Sequence, residues 1–295
     1  MKTAALEYSE SSVRDYFSLL KPRVMSLVVF TGMVGMLLAK ANGASLHPFI
    51  AFVTILSIAL GSGASGAINM WFDRDIDVIM KRTQNRPIPA GRVDANEALG
   101  FGIVMAVASV VLLAVTTNPV AAALLAAAIL FYVFIYTIWL KRRTPQNIVI
   151  GGAAGAFPPV IGWAAVTGDV TLFPIILFMI IFIWTPPHFW ALSLLIKDEY
   201  KNAQVPMLPV TSGVGITKTK IMGYTLVMAV VALTPYFAGF SGKLYFYLAL
   251  VLNAIFIYFA AKTQFDQTKK SAKRTFLFSI FYLFALFLTL VIDAI

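Results

Sequence analysis

The chain has 295 residues, of which 60% are hydrophobic and only 12% are charged, with a mean hydropathy of +0.85. A soluble domain carries about 25% charged residues, so we expect the solvent of this chain to be largely lipid. It contains no cysteine, which excludes disulfides, thiolate metal sites and cysteine nucleophiles. The net charge of +10 is expected to belong to membrane-flanking loops, and we predict no nucleic-acid partner.

The N-terminal part of the chain is polar, and we expect residues 1–23 to form a cytoplasmic or interfacial segment. Within it, SSVRDYFSLLKPR (11–23) predicts a short helix at the membrane surface. Its apolar side would carry Tyr16, Phe17, Leu19 and Leu20. Residues 24–295 are expected to form a single transmembrane domain.

Nine apolar stretches of spanning length follow. Most are free of charge for about 17 residues or more, which is typical of a membrane-spanning helix. They cover residues 24–39, 48–72, 97–116, 119–140, 147–166, 171–196, 217–239, 244–261 and 275–293. We therefore predict an all-α, polytopic bundle of nine transmembrane helices.

The basic residues predict the orientation of this bundle. If the N-terminus is cytoplasmic, all of the 23 basic residues except Lys40 and Lys243 fall in inner segments. Positive charge is retained on the cytoplasmic side of membrane proteins. We expect a multi-pass protein of the plasma or inner membrane, with long inner loops after spans two and six.

The end of span two carries an amide and two carboxylates. Asn69, Asp73 and Asp77 are spaced i, i+4, i+8, which on a helix places them on one face, whereas Asp75 points elsewhere. Mg²⁺ is commonly held by one or two carboxylates together with waters and a substrate phosphate. The plainer alternative is a solvated helix end, but acids that reach into a span are costly and usually functional.

Basic side chains follow these acids closely. Lys81, Arg82 and Arg86 lie in the next loop, and arginine forks match phosphate oxygens. Carboxylates for a metal beside cations for phosphate predict a metal-diphosphate site facing the cytoplasm. The catalytic candidates are Asn69, Asp73, Asp77, Arg82 and Arg86, and the diphosphate-binding candidates are Lys81, Arg82, Arg86 and Lys201.

Span six carries a second group of polar residues. Pro186 and Pro187 are expected to break or kink the helix, because proline lacks the amide donor. His188 follows them among large aromatic residues. It could be a hydrogen-bonded structural residue, a ligand of porphyrin iron, a base, or a partner for an acidic substrate group.

A smaller acidic pair, Asp198 and Glu199, lies at the inner end of span six. The pair could complete the metal site begun by Asp73 and Asp77, or it could belong to a solvated loop. Spacing alone does not decide between these readings.

The stretch NMWFDRDIDVIMKRTQNRPIPAG (69–91) resembles the first signature of the UbiA-type intramembrane prenyltransferases. TPPHFWALSLLIKDEYKNAQVPMLPV (185–210) resembles the second-motif region of the branch that farnesylates haem, and YFSLLKPRVMSLVVFTG (16–32) also fits the family. The resemblance covers essentially the whole chain. Other branches more often carry a second aspartate pair after helix six, where this chain has Asp198 beside Glu199.

This resemblance implies a UbiA-like fold and a reaction in which farnesyl diphosphate and haem B give haem O and diphosphate, with Mg²⁺ as cofactor. It implies that Asp73 and Asp77, helped by Asp198 or Glu199, hold the metal, and that His188 holds haem by its iron or a propionate. A haem A synthase is a conceivable partner.

Two alternatives stay open on sequence. One is a prenyltransferase of the same fold that acts on a quinone precursor or an aromatic acid. The other, of a different class, is a nine-helix membrane transporter, since transporters also place acids in spans and interrupt helices with proline.

Overall fold

The computed structural model describes residues 11–266 and 268–295, so the first ten residues of the expected N-terminal segment lie outside the described residues. All regular structure in these two ranges is helical. Nine helices of the described chain are long and apolar enough to cross a membrane, which confirms the predicted bundle.

The helices come in the following order. They are α1 (Val13–Leu19), α2 (Pro22–Ala41), α3 (Pro48–Phe72), α4 (Arg74–Asp77), α5 (Ala95–Thr116), α6 (Pro119–Leu130) with a π-helix (Phe131–Leu140), α7 (Asn147–Thr167), α8 (Leu172–Leu195), α9 (Lys197–Asn202), α10 (Leu208–Thr211), α11 (Gly213–Val231), α12 (Thr234–Phe237), α13 (Lys243–Phe265) and α14 (Lys269–Ala294).

The fourth span changes its winding along its length. Residues Phe131–Leu140 continue α6 as a π-helix, and the amide of Lys141 donates to the carbonyl of Tyr136, five residues earlier, at 2.9 Å. Such winding is rare and is found mostly as single turns, often at functional sites. The hydrophobic pattern of the sequence did not predict it, because a π-helix and an α-helix in lipid are equally apolar.

The predicted break in span six is not present. Helix α8 runs without interruption from Leu172 to Leu195 through Pro186 and Pro187. The prolines free the carbonyls of Phe182 and Ile183, and the Thr185 hydroxyl donates to the adjacent carbonyl of Ile181 at 2.8 Å. Proline is tolerated in membrane helices where side chains and neighbouring helices satisfy the freed backbone groups.

Helix α7 lies at the centre of the bundle, against α2, α6 and α8. A Cβ atom at Gly162 would lie 2.0 Å from the carbonyl oxygen of Gly32, and one at Gly35 would lie 2.1 Å from that of Pro159. Glycine at these positions lets the backbones of α2 and α7 approach closely. This contact sets the position of α2 against α7, and therefore the position of Lys21, the residue directly before α2.

Helix α1 forms as predicted and lies against the C-terminal end of α3 and the N-terminal end of α5. Leu19 and Leu20 are buried, and Tyr16 donates to Glu97 at 2.9 Å and packs edge-on against Phe101. Phe17, in contrast, remains 56% exposed. Part of the predicted apolar side is therefore buried against the protein, and Phe17 is left exposed.

The loops after α3, the π-helix and α8 meet at one end of the bundle. Arg142 pairs with Asp75 at 2.6 Å, the amide of Arg82 donates to Glu199 at 3.3 Å, and Asp15 of α1 pairs with Arg92 at 2.7 Å. The polar segments that the sequence marked as candidate chemistry thus share one face of the molecule.

Candidate active site

The predicted helical face of Asn69, Asp73 and Asp77 is interrupted. Helix α3 ends at Phe72, Asp73 adopts φ −89° and ψ 7°, and α4 starts a new turn. The three side chains nevertheless remain grouped and buried, with 4%, 0% and 1% of their surface exposed. Asn69 Nδ2 donates to Asp73 Oδ2 at 2.7 Å, and the amide of Asp77 donates to the carbonyl of Asp73 at 2.8 Å.

Each member of this group has a basic partner. Lys141 donates to the carboxylate of Asp73, Arg86 pairs with Asp77 at 2.7 Å, and Lys21 Nζ donates to Asn69 Oδ1 at 2.8 Å. Buried carboxylates require such compensation, because desolvation of an unpaired charge is costly. The sequence predicted Arg86 as a diphosphate ligand beside these acids, and it did not single out Lys21 or Lys141.

Lys21 reaches the site from an unusual backbone conformation. Its φ of 53° and ψ of 57° lie in the left-handed region, which non-glycine residues adopt rarely. Its side-chain stem passes Gly66, where an added Cβ would lie 3.3 Å from Lys21 Cδ. Burial, with the positive charges of Arg86 and Lys141 nearby, lowers the pKa of the Lys21 ammonium well below its ordinary value.

Arg142 joins the buried group to the surface. Its Nη2 lies 3.4 Å from Asp73 Oδ1 and 2.6 Å from Asp75 Oδ1, and its guanidinium stacks over the ring of Phe72. The carboxylate of Asp75 is 61% exposed, and its hydrogen bond with Arg142 lowers its pKa. The predicted separation of Asp75 from Asp73 and Asp77 agrees with this geometry.

The π-helix contacts Asn69 through Thr137. Asn69 Nδ2 donates to the hydroxyl of Thr137 at 3.2 Å, in addition to its hydrogen bond to Asp73. Tyr136 packs so closely on α7 that a Cβ at Gly151 would lie 2.2 Å from its ring. The π-helix therefore places Thr137 against the acidic group, and also Lys141, which directly follows the helix.

The remaining predicted phosphate ligands lie near the surface. Lys81, Arg82 and Lys201 are exposed, and only Arg82 touches the second acidic pair, through its backbone amide and Glu199. Asp198 is 80% exposed in its side chain, and its nearest cation is Lys269 at 3.7 Å. Glu199, and not Asp198, thus contacts the loop that follows the first motif.

The acidic residues do not form a complete protein cage for a metal. Within the described ranges no three His, Asp or Glu side chains are arranged to hold an ion by themselves, so Asp73 and Asp77 are not joined by Asp198 or Glu199 in a preformed cage. Two buried carboxylates and the Asn69 amide are nonetheless the oxygen donors that Mg²⁺ accepts when substrate phosphate and water complete its shell. The donor set therefore fits a metal bound together with a diphosphate.

His188 lies apart from this group, at the contact between α8 and α14. It is buried, its Nδ1 lies 2.7 Å from the hydroxyl oxygen of Ser279, and its ring stacks on Trp184 and Phe276. Among the described residues, no hydrogen bond or ion pair links it to Asn69, Asp73 or Asp77.

The basic residues that sequence reasoning missed lie where basic residues are common in membrane proteins. Lys21 and Lys141 stand at the ends of spans one and four, where basic residues are expected in any membrane protein. Arg142 belongs to the same short turn, KRRTPQ. Only the fold brings these loops over Asn69 and Asp73, so their spacing carried no separate signal.

Comparison with known proteins agrees with the chemistry of the site. Residues 28–288 match the UbiA prenyltransferase family. The chain is 54% identical over 286 residues to the protoheme IX farnesyltransferase of Rickettsia bellii, with 97% of this chain and 94% of that protein covered. It is 55% identical over 292 residues to the protein of that name from Granulibacter bethesdensis, with 96% and 91% covered.

Solved structures share the fold at low sequence identity. A structure from work on digeranylgeranylglyceryl phosphate synthase has a TM-score of 0.79 at 19% identity, with 96% of this chain and 98% of that chain covered. A UbiA homologue of Archaeoglobus fulgidus bound to GPP and Mg²⁺ has a TM-score of 0.66 at 15% identity, with 94% and 99% covered. The chain is therefore a multi-pass membrane enzyme of the UbiA prenyltransferase family, in its protoheme IX farnesyltransferase branch.

Proposed function

We propose that this chain transfers the farnesyl group of farnesyl diphosphate to a vinyl group of haem B, giving haem O and diphosphate. The observation that carries the proposal is the buried group of Asn69, Asp73 and Asp77, which is surrounded by Lys21, Arg86 and Lys141. Carboxylates for a metal and cations for phosphate meet at the end of a span. A lipid diphosphate needs this arrangement, because its tail stays in the membrane while its head stays at the surface.

The residues would divide the chemistry of the leaving group among them. Asp73 and Asp77 would hold Mg²⁺, with Asn69 orienting the group, and bound Mg²⁺ would supply charge neutralisation for the diphosphate oxygens. Arg86 and Lys141 would turn from the carboxylates, and Lys21 from the Asn69 amide, towards the phosphates, while Lys81, Arg82 and Lys201 would act from the surface. Stabilising the charge that develops on the leaving diphosphate is the main catalytic contribution expected of such a site.

The bond changes balance without a redox step. The allylic C–O bond breaks with both electrons leaving on diphosphate, and the vinyl carbon of haem attacks the farnesyl cation to form a C–C bond. Water adds to the resulting cation beside the porphyrin and loses a proton, which leaves the hydroxyethylfarnesyl side chain. The apolar walls of the spans would keep other water away from the farnesyl cation.

Of the second acidic pair, we propose that Glu199 assists at the metal and that Asp198 does not. Glu199 accepts a hydrogen bond from the amide of Arg82, in the loop that holds the phosphate candidates. Asp198 faces Lys269 and solvent. This assignment separates two neighbours that the sequence could not distinguish.

The setting of the reaction is also proposed. The bias of basic residues favours a plasma or inner membrane protein whose site opens to the cytoplasm. Haem B would be held by His188 in the branch-specific segment of α8. A haem A synthase is the partner expected to consume haem O, and co-purification from solubilised membranes tests for a physical contact.

The test of the proposed function is direct. Purified protein in lipid would be incubated with farnesyl diphosphate, haem B and Mg²⁺, and extracted haems would be separated by chromatography and identified by mass. We expect haem O, its loss on chelation by EDTA, and its recovery when Mg²⁺ is restored. If haem O were absent while an aromatic acid or quinone precursor became prenylated, the acceptor assigned here would be wrong.

A further inference from the structure

The hydrogen bonds around His188 define which ring nitrogen carries its proton. Ser279 Oγ donates to the carbonyl of Phe276 at 2.6 Å, which uses the single proton of the hydroxyl. The same Oγ lies 2.7 Å from His188 Nδ1. Because the serine has a single proton and the Phe276 carbonyl can only accept, we assign Nδ1–H as the donor in this contact. In a neutral imidazole, Nε2 is then unprotonated and carries an in-plane lone pair.

The ring is also held in one orientation. Trp184 stacks on it with centroids 4.2 Å apart and planes at 17°, and Phe276 stacks at 4.8 Å and 26°. Trp184 is fixed in turn, because its Nε1 donates to the carbonyl of Ser279 at 2.8 Å. Phe189 stands perpendicular to the imidazole at 5.4 Å. Stacked rings cover the faces of an imidazole, so a further ligand has to approach in the ring plane, where the Nε2 lone pair points.

This arrangement, taken with the proposed function on which it rests, suggests how haem is bound. We propose that His188 binds the iron of the haem substrate through Nε2, and that Ser279 is the positioning residue that sets the tautomer and orientation required. Histidines that bind metals usually donate their other ring N–H to a neighbouring oxygen, which is the role Ser279 Oγ has here.

The alternative, a bond between His188 and a haem propionate, conflicts with the same contacts. A propionate is an acceptor and needs a donor, but Nδ1–H is already committed to Ser279 and Nε2 offers a lone pair. Adding a proton would place a positive charge in a buried aromatic setting that holds no acidic partner among the contacts of this ring. An unpaired charge is strongly disfavoured in such surroundings.

Two porphyrins that differ only in the metal separate these modes. Haem B and metal-free protoporphyrin IX carry the same propionates, and their binding to the parent, His188→Ala and Ser279→Ala proteins can be titrated optically. We expect His188→Ala to weaken haem binding by at least about 10-fold and to remove the histidine-ligated iron spectrum, while protoporphyrin binding is unchanged. Equal weakening for both porphyrins, or no weakening for either, would overturn the inference.

Matched variants test the part assigned to Ser279. We expect Ser279→Ala to weaken haem binding by about 10-fold, in the same direction as His188→Ala, and Ser279→Thr to restore it because a hydroxyl is retained. His47→Asn is the control, since His47 caps the outer end of α3. A Ser279→Ala protein that binds haem with the parent's affinity and spectrum would remove Ser279 from this role.

The tautomer can be read directly, because the chain has only two histidines. In protein labelled with ¹⁵N-histidine, NMR should show His188 protonated at Nδ1, and the His47→Asn variant assigns the signals. Protonation at Nε2 instead would contradict the proposal. Haem O formation by the parent is followed in the same preparations. A parent that makes haem O but whose binding is insensitive to His188→Ala refutes this inference alone, whereas a parent that makes none refutes the proposed function.

Discussion

Lys141 donates a hydrogen bond to the buried carboxylate of Asp73 although 68 residues separate them in the chain. The contact joins the end of the π-helix to the end of α3. It places the ammonium group of Lys141 next to a carboxylate that is proposed to hold a metal. Such a lysine can neutralise the carboxylate before substrate enters and then serve the phosphate oxygens.

We expect Lys141→Gln to lower the rate of haem O formation by about 100-fold, because one charge is lost where the leaving group forms. Arg143→Gln is the matched control, since Arg143 lies in the same turn but is exposed. Steady-state assays of both variants measure the difference. Similar rates for the two would show that Lys141 only balances Asp73.

The two aspartates on either side of Arg74 should behave differently. Asp73→Asn should lower turnover by about 100- to 1000-fold, since a buried ligand for the proposed metal loses its charge. Asp75→Asn should retain most activity, because Asp75 is exposed and, among the described residues, forms its ion pair with Arg142. Melting temperatures in detergent check that both proteins are folded, and an active Asp73→Asn protein would refute the metal role.

Lys21 offers a test in which activity and stability separate. Its backbone has φ 53°, a conformation that costs glycine little. Lys21→Gly should therefore keep its melting temperature close to that of the parent while losing the ammonium beside Asn69. We expect a large loss of turnover with a folded protein. Loss of fold and activity together would instead point to a structural role for the side chain.

The glycine contacts between α2 and α7 predict a packing defect. Gly162→Ala would place a methyl group 2.0 Å from the carbonyl oxygen of Gly32, so the helices must separate. Overpacking of this kind costs about 1–3 kcal/mol. Gly155→Ala, in the same helix with no heavy atom within 4 Å of the added Cβ, is the control. Thermal unfolding in detergent should show a lower melting temperature only for Gly162→Ala.

The orientation in the membrane can be tested with single cysteines, since the chain has none of its own. Ser45→Cys, in the exposed turn between α2 and α3, should react with an impermeant maleimide added to intact cells. Arg143→Cys, exposed at the other end of the bundle, should react only after the membrane is opened. The reverse pattern would place the N-terminus and the proposed site outside.

The nine spans and the first acidic group were predictable because lipid leaves few choices. A transmembrane helix must be apolar over its whole crossing, so the length of each apolar stretch predicts the length and the ends of the helix. Polar residues at the end of α3 stand out against that background. Asp73 and Asp77 are both buried at this end of α3, as their spacing predicted, although the helix ends at Phe72 and the sequence pattern did not indicate that end.

The rest of the site depends on contacts between distant segments. In the sequence, Lys21 and Lys141 resemble the basic residues that flank any span. Only the packing of α2 and the π-helix near α3 shows that they contact Asn69 and Asp73. The continuous path of α8 through Pro186 was also not predictable, because whether a membrane helix continues through proline depends on the surrounding bundle and not on the helix sequence alone. Asp198 and Glu199 are adjacent in sequence, and only the fold turns one of them towards Arg82.

The π-helix at the end of the fourth span has a consequence for how this chain can vary. If the ten residues Phe131–Leu140 wound as an α-helix instead, the hydrophobicity of the segment would be unchanged, but an α-helix turns about 100° per residue and a π-helix turns less. The difference accumulates over the segment, so the residues after it would face another direction. Lys141 would then swing away from Asp73. The segment therefore acts as a spacer whose winding, more than its residue types, sets the position of Lys141 relative to Asp73.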